Sequence, residues 1–237
     1  MQRVKTRTRI SRRCLVKRLA KQFFSRRTRS SLRFDWLRFC ARIKHQGRSG
    51  RTPPSTRLHF GCGGRKIPGW LNVDVVGSEF DIDLAAPLPW KDGVFDCIVS
   101  QQVIEHLEIE SETLPLFGEL ARVSRPGAEF WVSCPDLAKV CRAYFEDDGC
   151  QLLEDRQTRF PLPWPAGMPY SQMINVMFHQ GNEHKNLYDF PLLKWLLEKQ
   201  GFAQVERVNE PLLRARFPEF PERNDDFHAL YVRAVKR

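Results

Sequence analysis

Two rhythms of apolar and polar positions run along the chain from residue 57 onward. Short apolar runs at Arg57–Phe60, Trp70–Val76, Phe95–Ser100 and Ala128–Ser133 read as strands, as do Ala203–Val208 and His228–Val235 near the end. Between them, apolar residues at 114, 117, 120, 121 and 123 predict a helix over Thr113–Val123, stopped by Arg125-Pro126-Gly127. Leu137–Phe145 and Pro191–Gln200 are predicted as further helices, the latter with Asp189 as its N-cap and Gly201-Phe202 as its stop. Strands alternating with helices argue a parallel sheet covered on both faces. The stretch from Cys150 to Asn186, broken by Pro161, Pro163, Pro165 and Pro169, reads as an irregular insertion or lid spanning roughly 150–187. The chain contains no internal repeat.

Ahead of this domain the pattern changes. Leu15, Val16, Leu19, Ala20, Phe23 and Phe24 recur at helical spacing, and Trp36, Leu37, Cys40 and Ile43 repeat it, all among Arg and Lys. Residues 1–53 hold 18 Lys and Arg against one acid, Asp35, a net of +17. The remainder holds 20 basic and 27 acidic residues, a net of −7, which accounts for the overall +10. The basicity therefore belongs to an arm, 1–54, joined through the linker Gly47–Ser55 to a domain over 55–237. Such an arm is a solvated, partly disordered extension, or a pair of basic amphipathic helices on an anionic membrane contacted through residues 1–50; nucleic acid is a less favoured partner. An Arg-rich mitochondrial presequence is a further alternative.

Seven cysteines at 14, 40, 62, 97, 134, 141 and 150 include no Cys-x-x-Cys pair, so neither a disulfide framework nor a structural zinc site is expected. No apolar run approaches the roughly 20 residues that span a bilayer, and no secretory signal is visible. The expected location is cytoplasmic, with peripheral contact at the inner membrane surface.

The first strand runs into Phe60-Gly61-Cys62-Gly63-Gly64, where glycines let backbone approach a ligand closely. The second ends in Leu71-Asn72-Val73-Asp74, an acid placed to accept both hydroxyls of a ribose. Only 13 residues separate Gly61 from Asp74, so Arg65–Gly69 must form a tight loop in place of a helix. That shortness argues against a dinucleotide pyrophosphate site, which needs a helix N-terminus.

After these come Asp81-Ile82-Asp83-Leu84, Pro87-Leu88-Pro89-Trp90, Phe95-Asp96-Cys97-Ile98-Val99-Ser100 and Val103-Ile104-Glu105-His106-Leu107. In this order the motifs resemble the type 11 branch of class I S-adenosylmethionine (SAM)-dependent methyltransferases. The resemblance is strongest to small bacterial proteins reading Gly-Cys-Gly-x-x-x-x-Pro-Gly-Trp-x-Asn-x-Asp. It extends through Leu120–Gly127 and Tyr188–Phe202, and so covers most of 57–237. It implies a doubly wound, mostly parallel seven-stranded sheet whose last strand is antiparallel. It also implies SAM as cofactor, with Gly61 and Gly63 at its methionine end, Asp74 on the ribose, Asp83 and the Leu84 backbone at the adenine, and Ser100 and Gln101 facing the sulfonium and methyl. Cys62 stands where the family tolerates small residues and carries no nucleophilic role.

Methyl transfer from SAM needs alignment and exclusion of water, and a hydroxyl or ammonium acceptor also needs a base. His106, just past the fourth strand, is one candidate. His184 and Tyr188, in the polar segment before Pro191, are the others, as acceptor contacts or bases. His179, Glu183 and His184 match no familiar ligand spacing, and no metal is expected. The acceptor is a small molecule or a lipid or saccharide at the membrane surface. The alternative is a non-catalytic SAM-binding relative that acts through its basic arm, while the sequence does not fix an oligomeric state.

Overall fold

The computed structural model describes residues 21–45 and 50–237. Leu15, Val16, Leu19 and Ala20 of the first helical stripe, and the opening of the Gly47–Ser55 linker, lie outside these residues. Helix α1 (Arg26–His45) carries the second stripe. The domain then runs β1 (Arg57–Phe60), β2 (Leu71–Asp74), β3 (Phe80–Asp81), β4 (Phe95–Gln101), α2 (Leu114–Val123), β5 (Ser124–Pro135), α3 (Leu137–Asp147), α4 (Cys150–Arg159), α5 (Gln172–His179), α6 (Phe190–Lys199), β6 (Phe202–Val208), α7 (Glu210–Arg216) and β7 (Ala229–Lys236).

All seven strands form one sheet, ordered β3-β2-β1-β4-β5-β7-β6. Strands β1 to β5 pair in parallel, and β7 lies antiparallel between β5 and β6. The antiparallel closing strand implied by the family resemblance is present. Strand order reverses between β1 and β4, and ligands of open α/β sheets bind outside the carboxyl ends of the strands at such a reversal. Gly61 leaves one strand at that edge, and Ser100 and Gln101 end the other.

Alternate residues of the central strands feed two cores, as the two-residue period of a strand requires. Ile98, Phe130 and Val232 join Phe60, Phe117 and Phe202 on one side. Val99, Trp131 and Tyr231 join Trp70, Phe217 and Phe220 on the other. Helix α2 buries Phe117, Leu120, Ala121 and Val123 as its spacing predicts, with Leu116 fully buried in addition and Leu114 only partly buried. Helix α6 begins as expected, with Asp189 accepting from the Leu192 N–H at 2.9 Å and a proline in its first turn.

Three features depart from the sequence reading. The stretch 150–187 is not irregular: α4 and α5 pack with α3 around a third core of Val140, Ala143, Leu152, Leu153, Met173, Met177 and Leu187. The prolines that suggested an irregular insertion occupy the turn joining α4 to α5. Helix α7 and the two-residue β3 are additions. Too few residues carry a period in either, and α7 is specified by the cap of Asn209, which accepts from the Leu212 N–H at 2.9 Å.

Candidate active site

The turn after β1 is held by its own chemistry. The Gly63 N–H donates to Asp74 Oδ2 at 2.8 Å, and Asp74 Oδ1 accepts from the Val75 N–H at 2.6 Å. No helix separates β1 from β2. The link is a turn closed by the Arg65 N–H on the Cys62 carbonyl and pinned by Asn72, which accepts from Ile67 and donates to the carbonyls of Ile67 and Trp70. Gly61 (φ +66°) lies against Val103, whereas Gly63 (φ +52°) and Gly64 face open space. Burial pushes the Cys62 thiol up to about 11, which leaves it an inert core group.

Ser100 is fully buried and its Oγ has no hydrogen-bond partner. Gln101 is buried beside it, and Gln102 adopts φ +60°.

At the expected adenine corner the structure brings a surprise from the arm. Helix α1 lies on the domain with Ala41 buried and its basic side chains turned onto acids. Arg38 Nε donates to Asp83 Oδ1 at 3.0 Å, and Arg42 pairs with Asp83 Oδ2. Arg38 Nη1 also reaches Glu112 Oε1 at 2.6 Å, and Lys44 pairs with Asp81 at 2.8 Å. Asp83, buried next to Leu84 and also accepting from the Ala85 N–H, thus spends its carboxylate on the arm. Burial alone would push Glu112 up, but hydrogen bonds from Glu108 N–H, Lys185 and Arg38 hold it below the usual carboxylate value. Residues 26–45 are therefore a helix that touches the acidic domain through Ala41, Arg38, Arg42 and Lys44, while most of its side chains stay exposed.

The acceptor candidates divide. Tyr188 is fully buried in the main core, its hydroxyl 3.1 Å from Thr113 Oγ1 and donating to the Ile104 carbonyl at 3.2 Å, and burial raises its pKa. This corrects the reading of Tyr188 as a base or acceptor contact, since its ring is walled in and its hydroxyl is spent on protein partners. His106 and His184 instead come together, ring centroids 5.1 Å apart. His106 ends the 3₁₀ turn Ile104–His106 after β4. His184 is buried, and desolvation lowers its pKa to about 4, so its ring is neutral. Hydrogen bonds join their loops: Lys185 N–H donates to the Glu105 carbonyl at 2.8 Å, and the Asn186 side-chain Nδ2 donates to the Leu107 carbonyl at 2.7 Å.

Sequence reasoning passed over Glu105. Its side chain is 1% exposed, Oε2 has no hydrogen-bond partner, and burial pushes its pKa up to about 8. A carboxylate between Ile104 and His106, just past the strand exit, was the available signal. Its nearness to His184, 79 residues away, was not readable.

Among the described residues no helix is long and apolar enough to cross a membrane. Residues 72–132 match the family model described as a methyltransferase domain. Comparison with curated proteins gives no match. Among solved structures, a SAM-dependent methyltransferase from Thermotoga maritima is 16% identical over 93% of this chain and 99% of its own, with a TM-score of 0.43. One from Mesorhizobium loti is 17% identical over 82% and 96%, with a TM-score of 0.42. The Haemonchus contortus phosphoethanolamine N-methyltransferase 2, solved with S-adenosyl-L-methionine, is 14% identical over 82% of this chain and 51% of its own, with a TM-score of 0.42. These likenesses are too distant to bear on the acceptor. The matched segment spans β2 to the middle of β5 and contains the strand ends at which Asp74, Asp83, Ser100 and Gln101 lie. The chain is thus similar to methyltransferase domains over residues 72–132.

Proposed function

We propose that SAM binds across the carboxyl ends of β1, β2 and β4, and that its methyl passes to an acceptor resting against His106 and His184. SAM supplies a methyl already activated on a positive sulfur. The chain's own residues bind, orient and exclude water. Gly61 and Gly63 would hold the methionine end and Asp74 the ribose hydroxyls. The backbones of Ser100 and Gln101 would face the methyl, with Asp83 and Leu84 beside the adenine. The observation that carries this reading is the Gly63–Asp74 pair, a glycine turn with open space above it fixed to an acid at the strand-order reversal. The arm's hold on Asp83 means that the adenine amine competes with Arg38 and Arg42 for one carboxylate.

Calorimetric titration with SAM and S-adenosylhomocysteine tests this reading. Wild-type protein should bind both at micromolar levels, and Asp74→Ala should weaken binding by about 2 kcal/mol, roughly 30-fold. Absence of binding to folded wild type, or equal binding to the variant, would overturn it.

The acceptor belongs at an anionic lipid surface, as a lipid or lipid-linked saccharide. Helix α1 supports this with a single outward stripe of Leu32, Trp36, Phe39 and Ile43, each half-exposed or more, opposite the face that grips the domain. Apolar side chains flanked by arginines on a net +17 arm suit the headgroup region of an anionic bilayer. Sedimentation with vesicles of phosphatidylglycerol and phosphatidylcholine should retain the wild type and lose the Trp36→Ser/Phe39→Ser/Ile43→Ser variant. Equal retention of both, or binding to RNA in place of vesicles, would refute the membrane assignment.

A further inference from the structure

We propose that Glu105, His106 and His184 form a binding site for one divalent transition-metal ion, and that this ion takes the oxygen of a hydroxyl acceptor. The second half of the proposal rests on the methyl-transfer reading above; the first does not.

The geometry of the three side chains carries the proposal. One ligand atom from each lies within 4.8 Å of the other two. His106 Nδ1 is 3.1 Å from the Glu183 carbonyl oxygen, and His184 Nδ1 is 2.6 Å from that of Met177. A carbonyl only accepts, so each ring carries its proton on Nδ1 and leaves Nε2 as a bare lone pair. Backbone carbonyls commonly fix metal-binding histidines in this way. Neither Nε2 has a hydrogen-bond partner among the described residues. The third group is Glu105, buried to 1%, with Oε2 unpartnered. A buried carboxylate oxygen with no donor is costly unless something neutralises it, and a cation shared with two neutral imidazoles does so.

The surroundings keep the donors together. Lys185 and Asn186 both send their N–H groups to the Glu105 carbonyl, at 2.8 and 3.3 Å, so the backbone after His184 is tied to the residue that would share its ion. Ligands of one ion at about 2.0–2.2 Å lie roughly 3–3.5 Å apart, so side-chain rotations of about 1 Å close the site. Two imidazoles and one carboxylate suit Zn²⁺, Mn²⁺, Co²⁺ or Fe²⁺ over Ca²⁺ or Mg²⁺, which favour all-oxygen sets. Three protein ligands leave coordination positions open.

Glu105 and His106 follow β4 by a few residues, downstream of Ser100 and Gln101. A hydroxyl bound to the ion there ionises near neutral pH, its proton leaving to solvent. The oxygen then gives an electron pair to the methyl carbon. The carbon–sulfur bond breaks with its pair kept by sulfur, yielding a methyl ether and S-adenosylhomocysteine. An oxygen acceptor is the class this site fits, because an amine gains nothing once the ion takes its lone pair.

The test uses the full chain dialysed against a chelator and titrated with Zn²⁺ by calorimetry and with Co²⁺ by visible absorption. The expected result is one ion per chain, with a Co²⁺ spectrum of mixed nitrogen and oxygen ligands. His106→Ala and Glu105→Gln should each weaken Zn²⁺ binding at least 100-fold. His106 stands at the rim, so its variant keeps the fold if the buried Glu105 variant does not. No stoichiometric binding, or binding unchanged in His106→Ala, overturns the metal site. SAM titration of the same metal-free sample separates the two readings. SAM binding without Zn²⁺ binding removes only the ion, and Zn²⁺ binding without SAM binding removes methyl transfer and leaves the ion site standing.

Discussion

Gly61 and Gly63 both sit in the left-handed region, two residues apart, yet the structure gives them different burdens. A Cβ built on Gly61 would fall 2.1 Å from Val103 Cγ2, 2.8 Å from Cγ1 and 3.0 Å from Cβ. Rotating Val103 cannot relieve this, because its own Cβ is part of the obstruction. The left-handed φ adds about 1–2 kcal/mol for a residue with a Cβ, and overpacking at the wall of a core typically adds 1–3 more. Gly61→Ala should therefore destabilise by about 2–5 kcal/mol. Gly63→Ala meets nothing within 4 Å and carries only the backbone cost, about 1 kcal/mol. Urea unfolding followed by tryptophan fluorescence reads the difference. With a slope of about 2–3 kcal/mol per molar, Gly61→Ala shifts the midpoint down by about 1 M or more and Gly63→Ala by under 0.5 M. SAM titration should show the reverse bias, since the methyl of Gly63→Ala projects into the space assigned to the cofactor. The reasoning fails if Gly63→Ala proves the less stable variant, or if Gly61→Ala unfolds at the wild-type urea concentration.

Other consequences can be checked separately. Arg38→Ala/Arg42→Ala frees the Asp83 carboxylate, so calorimetry should find SAM binding tightened several-fold; unchanged affinity would mean that the adenine does not use Asp83. Tyr188→Phe loses two hydroxyl contacts, so it should lower stability by about 1 kcal/mol and leave initial rates of methyl transfer unchanged; a rate collapse in a folded variant would restore Tyr188 to catalysis. Burial lowers the pKa values of His59 and His228 below the ordinary 6.5. The unfolded chain therefore takes up protons first, and their contribution to stability, present above about pH 6.5, is lost as pH falls below it. Urea midpoints measured between pH 7.5 and 5 should fall, and less steeply in His59→Gln; a slope unaffected by that change would refute the assignment.

Most of the sheet was legible because its strands are apolar runs bounded by Gly, Pro and Asp, and its parallel order follows from alternation with helices. Asp189 and Pro191 announced α6, and the tight link between β1 and β2 followed from thirteen residues being too few for a helix. Elements specified by something other than periodicity were missed. Helix α7 depends on the Asn209 cap, and β3 on two residues laid beside β2. The prolines between α4 and α5 hid two helices, because a tight turn and a long irregular insertion share their composition. The candidate site was legible only where its residues are sequence neighbours. Gly61, Gly63 and Asp74 converge within one strand–turn–strand unit. His184 reaches Glu105 only through tertiary packing, and the reach of Arg38 to Asp83 depends on how the arm folds back. Tyr188 misled because a polar residue beside a helix start reads as available until its hydroxyl is seen buried.

The third core shares no residue with the two that flank the sheet. Helices α3, α4 and α5 thus hold a private stock of buried surface, tied to the rest through points that include Leu137 N–H on the Tyr188 carbonyl, Lys139 on the carbonyls of Asp226 and Ala229, Asp155 and Arg159 against His228, and the two N–H groups on Glu105. A block with its own core is expected to open as one cooperative unit while the strands stay hydrogen-bonded, because opening it costs its edge contacts and not its own interior. Amide hydrogens of β4 and β5 should accordingly exchange only through global unfolding, and those along the seam at residues 185 and 186 through a cheaper, local event. His184 stands on that seam, so the same opening that sets the seam's exchange rate would also set how often solvent reaches its buried ring.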